Sequence, residues 1–136
     1  MTKQTRLSLI EVITIAVVLA LVSVGVVPRF SEASEESKTG ELIDGLQRMR
    51  TQLALYRVQH EDRLPPTDSL EGFNSAITTR VGEYGPYIKK IPVNPYNCLN
   101  TVRFDGEPAG VNKSAWRLDT KAGTFQADNN AACALF

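Results

Sequence analysis

The sequence predicts an α+β fold: a long N-terminal transmembrane helix that continues into a small head with a short helix, a loop and a C-terminal antiparallel β-sheet. Three observations predict it. From Leu7 to Val27 the chain is apolar except for Glu11. Beyond that run, Leu42, Leu46, Met49, Leu53 and Tyr56 recur at helical spacing. The last quarter alternates apolar and polar residues around a turn.

The apolar run holds about 21 residues, roughly 31 Å as a helix, which matches a bilayer core of about 30 Å. It is too long for the apolar part of a cleaved signal, and Val26-Val27-Pro28-Arg29 follows where small residues would be needed. After Pro28 the stripe from Leu42 to Tyr56 gives one apolar face, and Lys38, Asp44, Arg48, Arg50 and Arg57 lie on the other. Gly40 and Gly45 weaken this stretch by up to about 1 kcal/mol each relative to alanine. Pro28 is expected to kink the helix near the membrane exit, and Pro65-Pro66 to end it, at about Asp62. Thr67 reads as the N-cap of a short helix with Leu70, Phe73 and Ile77 on one side. Gly85-Pro86, Pro92 and Pro95 mark a loop. Thr101 to Phe104 reads as a strand. Ser114 to Asp119 and Thr124 to Asp128 read as a hairpin closed by Thr120-Lys121-Ala122-Gly123, with Trp116, Leu118 and Phe125 turned inward.

Four segments result: 1–6 ahead of the span, 7–28 in the membrane, 29–62 as the exported half of the helix, and 63–136 as the head. Lys3 and Arg6 precede the span, whereas Glu32, Glu35, Glu36 and Glu41 outnumber Lys38 beyond it. The positive-inside rule then places the N-terminus in the cytoplasm and the head outside. In that oxidising compartment a Cys98–Cys133 disulfide is expected, with two free thiols as the alternative. A formal net charge of zero gives no electrostatic case for nucleic acid.

Little in the sequence suggests an enzyme. The single histidine, His60, follows Tyr56 by one helical turn and reads as the edge of the packing face. No nucleophile has an evident base partner, and no phosphate-binding glycine loop is present. Asp119, Asp128, Asn129 and Asn130 offer oxygens to calcium, but turn and loop solubility explains them better. Asn112-Lys113-Ser114 matches a glycosylation sequon, a short motif often met by chance.

Glu11 is the residue whose placement requires a reason, because a carboxylate in lipid costs about 2 to 3 kcal/mol or more. If Met1 to Arg6 were removed, Leu7 would carry an ammonium that a neighbouring copy's Glu11 could neutralise. The basic start, Leu7-Ser8-Leu9-Ile10-Glu11-Val12 and the apolar run resemble the N-terminus of type IV pilins and pseudopilins. Pro28-Arg29-Phe30-Ser31-Glu32-Ala33, Gly85-Pro86-Tyr87-Ile88, Ile91-Pro92-Val93-Asn94-Pro95-Tyr96 and the hairpin carrying Trp116 resemble the major pseudopilin of type II secretion systems.

The resemblance implies a structural subunit of a helical filament acting in protein export, with a type IV pilus subunit for adhesion, motility or DNA uptake as the alternative. It also implies a single-pass protein of the bacterial inner membrane, with the head in the periplasm, before assembly into the filament. A membrane-tethered periplasmic binding module is the alternative of another class. The implied partners are further copies of the chain, other pseudopilins, an inner-membrane assembly platform and a prepilin peptidase that processes and methylates at Leu7. Glu11 would serve assembly and Pro28 the helix bend. Arg6 stands where the family has glycine, which sets this chain apart at the processing point. The family's calcium loop is replaced here by a compact hairpin, so no cofactor is expected.

Overall fold

A computed structural model describes residues 8–136, with the side chains of 22–32 excepted. The chain divides into two compact units, Met1–Ser37 and Lys38–Phe136. Helix α1 is assigned to Leu9–Gln59, α2 to Leu70–Thr78, and the strands are β1 (Val102–Phe104), β2 (Trp116–Asp119) and β3 (Thr124–Ala127). A 3-10 turn, Cys133–Leu135, follows.

One expectation is overturned in the first unit. Among the described residues no helix is long and apolar enough to cross a membrane. The described apolar side chains run from Leu9 to Leu21, about 20 Å of helix, against a hydrocarbon core of about 30 Å. The transmembrane helix, and with it the placement as a single-pass inner-membrane protein, is therefore corrected. The predicted kink at Pro28 lies outside the described residues.

In the second unit the helical stripe does what its spacing demands. Leu42, Leu46, Met49 and Leu53 are buried in a core shared with Phe73 and Ile77 of α2 and with Trp116, Leu118 and Phe125 of the sheet. Trp116 is fully buried, and its indole N–H donates to the carbonyl of Pro92 at 2.8 Å. Gly45 makes room for it: a Cβ there would lie 3.3 Å from the indole ring. The glycine that weakens the helix by propensity is thus where the largest core side chain meets it. Helix α2 starts at Ser69 rather than at Thr67, since the Ser69 hydroxyl accepts the Gly72 amide at 3.0 Å.

The sheet differs from the all-antiparallel expectation. β2 and β3 form the predicted antiparallel hairpin, with Trp116 opposite Ala127. β1, however, pairs with β2 in parallel, Val102 opposite Trp116. Parallel neighbours require a crossover of about a dozen residues, supplied here by an irregular loop. Arg103 and Asp128 hold that loop. The guanidinium donates to both carboxylate oxygens of Asp128, at 2.9 and 2.7 Å. It also donates to the carbonyls of Asp105, Glu107 and Pro108. Asp128, with no exposed surface, further accepts the amides of Gly110, Lys113 and Ser114 and the Ser114 hydroxyl. Gly110 is required at its place, because a Cβ would lie 2.7 Å from the backbone of Ala131.

The expected disulfide is absent. Cys133 is buried in the core and Cys98 is exposed in a surface turn, and both thiols are free. The two cysteines occupy different environments, so the second unit is held by its core and by the Arg103–Asp128 knot without a covalent link.

Burial pushes the Asp128 carboxyl up, but Arg103 and the loop amides outweigh it and hold the pKa down to about 2. A depressed carboxyl stabilises the fold fully above its unfolded value of about 3.9, and that contribution is lost as pH falls through about 2. We expect roughly 2 kcal/mol of stability to disappear across this window. Asp128→Asn, which leaves a largely buried guanidinium without its counter-charge, should cost about 3 kcal/mol and flatten the acid dependence. Urea unfolding of both chains from pH 6 to pH 2 checks this.

Candidate functional sites

The first candidate is the start of α1. Its large apolar side chains from Leu9 to Leu21 are between 51% and 79% exposed. None of them belongs to the hydrophobic core. Leu9, Ile10, Val12, Ile13, Ile15, Val17 and Val18 point in all directions around the axis, since each residue advances the helix by about 100°. A single neighbour could cover only one stripe of such a surface.

Glu11 sits at the head of this segment and has a partner within the chain. Its Oε2 accepts the backbone amide of Ser8 at 2.8 Å. The Ser8 carbonyl accepts the amides of Glu11 and Val12. Ser8-Leu9-Ile10-Glu11 is therefore half of a capping box: the residue three places into the helix reaches back to a donor that the helix leaves unsatisfied. The S-x-x-E spacing encodes this cap in the sequence, within an apolar context that by itself points to an intermolecular charge. Arg6 and Leu7 lie outside the described residues.

The second candidate is an aromatic corner in the second unit, where the end of α1, the Pro65-Pro66 segment, α2 and the loop after α2 meet. Tyr56 and His60, one turn apart, stack with ring centroids 4.0 Å apart and 21° between planes. Tyr87 is tilted 56° to Tyr56 at 5.2 Å, and Tyr84 stands edge-on to His60 at 68° and 5.5 Å. The Tyr87 hydroxyl donates to Gln59 Oε1 at 2.7 Å. Its lone pairs are then left to accept from His60 Nε2 at 3.2 Å. Burial, followed by the nearby Tyr56 and Tyr84, raises the Tyr87 pKa. The amides of Tyr87 and Ile88 both donate to the Ile77 carbonyl, which ties the loop to the end of α2. A cavity of about 320 Å³ opens here, floored by Gly72, Ser75 and Ala76. A second of about 480 Å³ adjoins it across Tyr56, His60 and Pro66. Helical spacing puts His60 and Tyr56 on one face; the approach of Tyr84 and Tyr87 depends on a loop that periodicity does not describe.

The oxygens considered for calcium all have work within the fold. Asp128 binds Arg103, and Asp119 accepts the Lys121 and Ala122 amides and pairs with Arg117. Asn129 Oδ1 accepts from Asn94, and Asn130 Oδ1 accepts the Cys133 amide. Among the described residues no group of three or more histidine, cysteine or acidic side chains could hold a metal ion. Asn112 of the sequon accepts from Asn97 Nδ2 at 2.9 Å.

Glu11→Ala should remove the cap, at a cost of about 0.5 to 1 kcal/mol local to the first turn. Hydrogen exchange in the full chain is expected to quicken at the amides of Ser8 to Val12 and to stay unchanged from Leu42 onwards.

Comparison of the chain with protein-family models, curated proteins and solved structures finds no match.

Proposed function

We propose that this chain is a structural subunit of a pilin-like helical filament, of the pseudopilus kind that acts in type II protein secretion. The observation that carries the reading is the apolar start of α1, exposed around its whole circumference from Leu9 to Leu21. Full burial of each such side chain contributes about 1.5 to 3 kcal/mol. Packing a handful of them against neighbouring copies therefore gives on the order of 10 kcal/mol before association costs. Several neighbours are needed to cover all sides, which favours a bundle of many helices over a dimer.

Glu11 would have two duties in such a bundle. One carboxylate oxygen holds the Ser8 amide at the helix start. The other would accept from a cation on the next copy, which would set axial register between apolar surfaces that are otherwise free to slide. The residue resemblance of Leu7 to Val12 to the pilin N-terminus supports the same reading. A scaffolding role of this kind needs no catalytic centre in the chain.

Two substitutions test it. Val17→Asp should abolish filament formation, followed by light scattering and negative-stain microscopy, with the melting temperature of the second unit unchanged. Glu11→Gln keeps the helix cap, since glutamine serves in a capping box, but removes the charge. It should slow or stop assembly at low salt. Filaments formed normally by the Val17→Asp chain would overturn the proposal, and normal assembly by Glu11→Gln would remove the charge pair from it.

A further inference from the structure

The aromatic corner holds more than packing requires. Three tyrosines and a histidine line one cavity, with ring planes 56° and 68° apart, so aromatic faces border the space from more than one direction. Its volume, about 320 Å³, lies within the range of small-molecule sites. Neither lysine nor arginine is among the residues that line it. Arg63 borders the adjoining cavity, where it pairs with Glu61 at 3.4 Å. Glu61, which borders the adjoining cavity, and Asp62 next to it have φ of 55° and 62°, a left-handed conformation that is costly for residues other than glycine. Asp62 is anchored there by Arg57 at 2.6 Å.

We propose that the corner formed by Tyr56, His60, Tyr84 and Tyr87 binds a small methylated ammonium cation. Aromatic faces carry negative quadrupole charge and attract a cation placed against them, most strongly where water is excluded. Methylation follows from the lining: Pro66, Gly72, Ala76 and Val81 offer apolar surface. A primary ammonium would surrender up to three hydrogen bonds to water on entering. A trimethylammonium group has no such bonds to lose and presents methyl groups to the rings. The Tyr87 hydroxyl is already committed to Gln59 and His60, so that ring is fixed in place before a ligand arrives. This site is in the second unit and is independent of the assembly surface on α1.

Calorimetry on the full chain tests the proposal. Choline and Nε-trimethyllysine amide would be compared with their neutral carbon isosteres, in which a tert-butyl group replaces the trimethylammonium. The cations should bind at least fivefold more tightly than the isosteres. The stronger of the two would identify a free headgroup or a modified lysine as the source. Tyr84→Leu should weaken cation binding at least fivefold, while Tyr84→Phe stays within twofold, because the ring face and not the hydroxyl carries the contact. Equal affinity for cation and isostere, no binding of either cation, or equal losses in the two Tyr84 variants would overturn it.

Discussion

The second unit depends on one charge pair more than on any other contact. β1 lies parallel to β2, so the chain must leave the sheet after Phe104, travel its length and return at Trp116 without a helix to cover the path. Irregular backbone on such a route carries carbonyls and amides with no ladder to satisfy them. Arg103 and Asp128 meet that need from either side: the guanidinium gathers carbonyls and the carboxylate gathers amides, while each neutralises the other. The pair also joins the first strand of the sheet to the end of the last, which fixes the order β1-β2-β3. Asp105 adds a smaller tie of the same kind, accepting both the amide and the hydroxyl of Thr120 at the hairpin turn.

What the sequence made legible is what periodicity encodes. Leu42, Leu46, Met49 and Leu53 had to share a helix face, and Trp116, Leu118 and Phe125 had to point into a core. Contacts made by irregular segments were not legible. Nothing in the spacing of Arg103 and Asp128 marks them as partners 25 residues apart, and isolated aspartates near turns read equally well as solvated. The parallel pairing of β1 was hidden for the same reason, since a three-residue strand has no pattern that reports its direction. The free cysteines were hidden too, because the presence of two cysteines speaks to compartment and says nothing of the different environments that Cys98 and Cys133 occupy. Glu11 is conspicuous in the sequence for its apolar surroundings, which point to a distant charge and hide the local contact, a cap on the Ser8 amide.

The two candidate sites differ in how they use apolar surface. At the start of α1 it is continuous, unpatterned and all-round, which in the proposed filament would suit many identical neighbours and leave register to Glu11. At the aromatic corner it is small, concave and angular, with rings held by one another and by the Gln59–Tyr87–His60 chain. The first surface would be satisfied by quantity, the second by shape and electrostatics. A protein built for self-association alone has no evident use for the second.

The contact between Gly45 and Trp116 has a geometrical consequence for α1. A Cβ at position 45 would lie 3.3 Å from the indole and 3.4 Å from the Pro92 ring, so the helix meets Trp116 with bare backbone, and turning it about its axis would present a side chain to the ring instead. Gly45 thus acts as a keyway and Trp116 as its key. The azimuth locked in this way decides which residues of the second unit's helix face water, and it puts Thr51, Leu55 and Val58 outside. The outer surface of the helix is therefore dictated from within, at a position that has no side chain.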